Sequence, residues 1–227
     1  MRRFLSYVLS LVMICSYITI VRAENDEILF QGIPWNISFT EFNQTIVDMQ
    51  LSSVEIKEHR LSDRRVYLSP SEKMLKSYKN SNIGITKFFS SSGNGCAVCG
   101  SFKSDKTLGG LDIQDIYCSF VYIIDEEGNI NTGESRLFSV YIDFKNGQNG
   151  KDFLNVMRKK YGKPKSYGDN RFPIYVWEGK ENTRVLYAMN GDWASSIMYV
   201  NTAVSDYART MIEAHVQIEE EKEDMGV

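Results

Sequence analysis

The sequence predicts an α+β protein: an antiparallel β-sheet with helices packed on one face. Three observations carry this. Apolar residues repeat every three or four positions at 38–50 and 151–161, which is helical spacing. From Ala97 onward several runs alternate with period two and are separated by short turn signals. Aromatics are plentiful, with 13 Tyr and 12 Phe against only 4 Pro, a composition that suits half-buried strands.

The first helix is expected at 38–50. Ser38 and Glu41 stand three apart, so each side chain can satisfy the other's free backbone N–H in a capping box. Phe39, Phe42, Ile46 and Met49 follow as one apolar stripe. Before it, Ile28-Leu29-Phe30 reads as a short extended lead, and Gly32-Ile33-Pro34-Trp35 turns the chain. Val54-Glu55-Ile56 alternates like a strand. Ser69-Pro70-Ser71-Glu72 reads as the start of a short helix carrying Met74, Leu75 and Tyr78, broken at 80–82. Residues 90–95 have loop composition.

In the next strand Ile116, Cys118, Phe120, Tyr122 and Ile124 share one face, and Tyr117, Val121 and Ile123 the other. Residues 125–129 make a turn, and Leu137–Phe144 returns antiparallel. The clearest helix follows. Asp152 marks its N-cap region, and Leu154, Met157 and Tyr161 line one face, with Phe153 and Val156 beside them. Arg158, Lys159 and Lys160 favour its C-terminal dipole, and Gly162 with Pro164 ends it. Strands are expected at Phe172–Glu178, Thr183–Asn190 and Ser195–Asn201. A last amphipathic helix uses Val204, Tyr207, Ala208, Met211 and Ile212, with Glu219-Glu220-Glu221 fraying into solvent. This order suggests tandem αβββ units, an N-terminal one over 24–145 and a C-terminal αβββα one over 146–227.

Residues 1–23 read as an export signal. Arg2 and Arg3 open it, an apolar run extends from Phe4 to Val21, and Val21-Arg22-Ala23 offers small residues at the cleavage positions, so cleavage is expected after Ala23. The protein is then secreted or held in the cell envelope. Membrane attachment is expected only if the segment stays uncleaved. Removing it takes three arginines, leaving 23 basic residues against 29 acidic and a net charge of −6. That sign, with no basic stripe, argues against nucleic acid as a partner.

Phe30-Gln31-Gly32-Ile33-Pro34-Trp35-Asn36-Ile37-Ser38 resembles the opening of uncharacterised secreted proteins of Gram-positive bacteria that carry a GIPWGxS-type motif. In this chain Asn36 takes the place of the usual Gly. Tyr161-Gly162-Lys163-Pro164, Val176-Trp177-Glu178-Gly179 and Asn182-Thr183 resemble their second half. More distantly, a helix ending in Tyr-Gly-Lys-Pro before an antiparallel meander is similar to the fold of the β-lactamase inhibitor protein and the small barrel-assembly lipoprotein. Those distant relatives bind other proteins and carry no catalytic residues, so the resemblance implies an exported binding or structural domain. It transfers no site residue. The leading expectation is a non-enzymatic domain that binds a protein or cell-envelope component through an open sheet face.

The sharpest local motif is Cys96-Ala97-Val98-Cys99, a candidate disulfide or redox pair. Redox enzymes place such a pair at a helix N-terminus after a strand, where a thiol pKa falls. Here a Gly-rich loop precedes it and strands surround it, which favours a structural role. Thiol–disulfide redox chemistry at Cys96 and Cys99 is the alternative reading. Cys118 alternates with Phe120 and reads as a small buried apolar residue. His59 and His215 are the only histidines, and neither has a partner at ligand spacing, so no metal, cofactor or catalytic residue is expected. Trp35, Trp177 and Trp193 either form a sugar- or partner-binding surface or, as tryptophan on strands more often does, pack into the core.

Overall fold

The computed structural model describes residues 28–48, 57–60, 67–77, 97–102, 104, 106–124 and 130–225. The leader, the strand expected at 54–56, the breaks expected at 80–82, 90–95 and 125–129, and Cys96 lie outside them.

The elements are α1 (Phe39–Asp48), β1 (Lys57–Arg60), α2 (Glu72–Ser77), β2 (Ala97–Phe102), β3 (Thr107–Leu108), β4 (Leu111–Ile124), β5 (Ile130–Phe144), α3 (Gly150–Tyr161), β6 (Lys165–Tyr167), β7 (Ile174–Glu178), β8 (Thr183–Asn190), β9 (Trp193–Asn201) and α4 (Thr202–Met225). The fold is α+β, as expected. One antiparallel sheet runs in the order β1-β2-β4-β5-β9-β8-β7-β6, with β3 paired to the start of β4. It consists of two meanders that meet at their last strands, β5 against β9. A helix precedes each meander, α1 the first and α3 the second. The join of β5 and β9 is antiparallel, and both helices bury residues in the same core, Phe42 from α1 and Phe153, Leu154 and Met157 from α3.

That first face is the one the sequence analysis describes. Ile116, Cys118 and Phe120 of β4 share a core with Val140 and Ile142 of β5. In α1 the capping box forms: the Ser38 N–H donates to Glu41 Oε2 at 3.0 Å, and the Glu41 N–H to Ser38 Oγ at 3.2 Å. The cap sets the helix so that Phe39 and Phe42 both meet the Phe120 ring edge-on at 5.2 Å. The lead into α1 is pinned at three points. The Ile28 N–H donates to Thr183 Oγ1, the Trp35 indole N–H to the Ile28 carbonyl, and the Leu137 N–H to the Ile37 carbonyl. The Gly32-Ile33-Pro34-Trp35 stretch is therefore a structural clasp. Gln31 and Gly32 both take positive φ so that the Ile33 N–H can close on the Phe30 carbonyl.

Helix α3 buries Phe153, Leu154 and Met157 on the same face. Its N-cap is Asn149, whose Oδ1 accepts from the Lys151 N–H. Asp152, expected in that role, sits in the first turn and accepts from the Asn149 amide. Gly162 ends the helix with φ 82° and its N–H on the Arg158 carbonyl. Its ψ of −158° is extended, outside the left-handed helical stop. The acidic run 219–221, expected to fray, lies inside α4, which continues to Met225.

The opposite face, expected to be open for binding, is covered as well. Helix α4 buries Ser205, Ala208 and Ile212, and the extended residues 67–70 with Leu75 of α2 fill the space beside it. The expectation of helices on one face holds for α1 and α3, and the central strands have cover on both sides. No helix among the described residues is long and apolar enough to cross a membrane.

Candidate functional site

Of the three tryptophans, two are core. Trp35 is 4% and Trp177 3% exposed, and each indole N–H donates to a carbonyl, of Ile28 and Gly162 respectively. Trp193 is 54% exposed. Its place follows from the register of β8 and β9. Ala188 pairs with Ser196 on the second face, then a bulge shifts the ladder so that Met189 pairs with Ala194 and Asn190 with Trp193. Paired residues share a face and alternate with period two. Trp193 therefore stands on the second face, at the outer end of the strand.

The backbone beneath that indole is held on both sides. The Gly150 N–H donates to the Asp192 carbonyl and the Ala194 N–H to the Gln148 carbonyl, both at 2.9 Å. Gln148 is itself tied down: its Oε1 accepts from the Asp112 N–H, and its Nε2 donates to the Asp112 and Lys145 carbonyls. Lys151 and Asp192 form an exposed ion pair at 2.7 Å. Gly150 allows the close approach. A Cβ there would lie 2.7 Å from Tyr187 Oη and 2.8 Å from both the Ala194 nitrogen and Met189 Cε. The α3 start, the β8–β9 tip and Gln148 thus form one rigid mount beneath a large exposed aromatic.

Inward along the same face lies a tyrosine–aspartate cluster. Asp143 pairs with Asp115 on β4 and with Ser196 on β9. The Tyr141 hydroxyl donates to Asp143 Oδ1 at 2.7 Å, and Tyr67 stacks on Tyr141 at 4.4 Å with the rings nearly parallel. Burial raises the Asp143 pKa, the Tyr141 hydrogen bond opposes this, and the neighbouring Asp115 charge adds to the rise. The Tyr141 hydroxyl is pushed up in turn, first by burial and then by the Asp143 charge. The pair holds a proton more tightly than an exposed aspartate does. Among the described residues, no three His, Cys, Asp or Glu side chains gather as a metal site.

Cys99 is fully buried in β2, in register with His59 of β1 on one side and Ser119 of β4 on the other. It lies within strand β2. Cys118 is a fully buried thiol on the opposite face, beside Phe120 as expected. Burial, with the nearby Cys99, pushes its pKa well up, which keeps it protonated and unreactive. Cys96 is outside the described residues, so its pairing with Cys99 is not placed.

The sequence favoured the core for Trp193 along with Trp35 and Trp177, and the exposed indole corrects this: the β8–β9 offset that turns it outward leaves no local pattern. The available signal was its position alone, directly after the tight-turn pair Gly191-Asp192. No family model, curated protein or solved structure matches this chain.

Proposed function

We propose that this protein is an exported, non-enzymatic domain that binds a protein or cell-envelope component through the surface around Trp193. The observation that carries the reading is the exposed indole on a rigid mount. Tryptophan is enriched among residues that dominate binding energy, since it offers a large contact area with few rotatable bonds. Leaving it in water on a preordered hairpin gives folding little and association much. The leader motivates the exported setting, and the net charge of −6 after cleavage makes nucleic acid an unsuitable partner.

The test is affinity capture from the native cell envelope with residues 24–227 as bait and Trp193→Ala as control. The reading expects a component retained by the parent and lost by the variant, with melting temperature unchanged. Identical retention by both would remove it. The alternative, thiol redox chemistry at Cys96 and Cys99, is separated by the reduction potential. A value near the compartment's poise with rapid exchange toward model disulfides favours redox work; a much lower one favours a structural role.

A further inference from the structure

Residues 67–70, Tyr-Leu-Ser-Pro, cross the second face as an extended strap, and all four are buried. The hydrogen bonds that hold this strap come from side chains. The Tyr67 N–H donates to Ser119 Oγ at 3.1 Å, and Ser139 Oγ donates to the Tyr67 carbonyl. Ser119 and Ser139 are register partners on β4 and β5, both fully buried, so one pair of hydroxyls reads both polar groups of one residue. Farther along, the Ser69 N–H donates to Ser205 Oγ at 2.9 Å, and Arg209 Nη2 donates to the Ser69 carbonyl at 2.5 Å. Arg184 Nη1 reaches the Pro70 carbonyl at 3.4 Å.

Two features make this a receptor arrangement. A hydroxyl at the centre of an apolar sheet face costs about 1–3 kcal/mol unless it has a partner, and here two stand side by side where a crossing backbone is served by both. These five bonds also lie outside any sheet ladder, so breaking them breaks no strand pair. Specificity beyond the backbone comes from the ring slot over Tyr141 and Tyr117, at 4.4 and 5.0 Å from Tyr67, and from Leu68 in the core beside it. Pro70 biases Ser69 toward the extended form the cleft requires.

We propose that the space between β4–β5 and α4 is a peptide-binding cleft, occupied in cis by residues 67–70. In trans it takes an extended aromatic–aliphatic–small–proline segment of another polypeptide. It is distinct from the Trp193 surface, so either can fail alone.

Native-state hydrogen exchange on the unaltered protein tests whether the strap is separable. The Tyr67 and Ser69 amides are expected to exchange by local opening, faster than the Val140 amide of β5 and with little denaturant dependence. Exchange only in step with Val140 would make the strap inseparable core and overturn the proposal. Binding is tested with a fluorescently labelled peptide of the sequence of residues 64–73, read by anisotropy. Tyr67→Ala weakens the cis strap, so it should bind the peptide about tenfold more tightly than the parent, because a larger fraction of clefts is open. A peptide carrying alanine at the position that matches Tyr67 should lose most of that gain, since this change leaves the cis strap untouched, and Trp193→Ala in the protein should leave the gain unchanged. Peptide that binds none of the folded proteins, or binds equally well without its tyrosine, would overturn the proposal. If Tyr67→Ala fails to fold, the exchange measurement on the parent still decides.

Discussion

The two faces of the sheet are held by different physics. The first is apolar through its centre: Phe120, Val140 and Ile142 meet the aromatic rings of α1 and α3, and edge-on ring contacts supply what geometry there is. The second carries Ser119, Ser139 and Ser196 in its interior, all essentially inaccessible, with Tyr141 and Asp143 alongside. Burial on the first face scales with area and tolerates rearrangement. On the second, each polar group has an addressed partner, so a small change leaves a specific atom unsatisfied. Buried area holds the first face, and addressed hydrogen bonds set the second.

That contrast can be broken most forcefully at Phe120, which is fully buried against two rings. Phe120→Ala should destabilise by about 3–5 kcal/mol in urea unfolding. A loss under about 1 kcal/mol would mean that buried area does not hold the first face. Gly150→Ala drives a Cβ into Tyr187, Ala194 and Met189 and should cost about 1–3 kcal/mol, since backbone is among the atoms met. A crystal structure of the variant should show the β8–β9 tip displaced from α3.

On the second face, Ser139→Ala removes only one oxygen yet leaves the buried Tyr67 carbonyl without that donor. The expected loss is about 1–2 kcal/mol, with faster exchange at the Tyr67 amide as its signature. A neutral result would show that the hydroxyl addresses nothing.

The smallest effect is the pH dependence of Asp143. Its folded pKa lies above the ordinary value of 3.8, chiefly through burial. Below 3.8 the carboxyl is protonated in both folded and unfolded states, and its contribution to stability is fully present. As pH rises through the raised folded value the contribution is lost, because ionisation is harder in the folded protein. Asp143→Asn keeps an acceptor for the Tyr141 hydroxyl and should flatten this fall in a stability-versus-pH series. An unchanged profile would place the titration elsewhere. Trp193→Ala should move unfolding by no more than about 0.5 kcal/mol, since the indole is mostly in water.

Much of this architecture is legible residue by residue. The Ser38–Glu41 box, the strand at Thr183–Asn190 and the alternation of Ile116, Cys118 and Phe120 are local patterns, and the structure follows each of them. Where it departs, a nonlocal contact decides. Between Phe120–Leu137 and Ser119–Ser139 the β4–β5 ladder slips by one residue, so Phe138 and Ser139 both serve the second face. A bulge of this kind breaks period two without leaving a turn residue to announce it. The three-residue β6 is too short to show any period. The candidate site was less legible still: Trp193 stands beside a turn, and only the β8–β9 offset and the Gln148 knot determine that it is mounted outward.

By itself the sequence determined the class of fold, the main helices and strands, and which residues of β4 share a face, because helix caps and hydrophobic period depend on neighbours a few residues away. Tertiary structure alone decided how the two meanders join, that a strap covers the second face, and which tryptophan remains in water. Those outcomes depend on groups brought together from distant parts of the chain, such as Tyr67 with Ser139, and spacing along the chain does not encode such meetings.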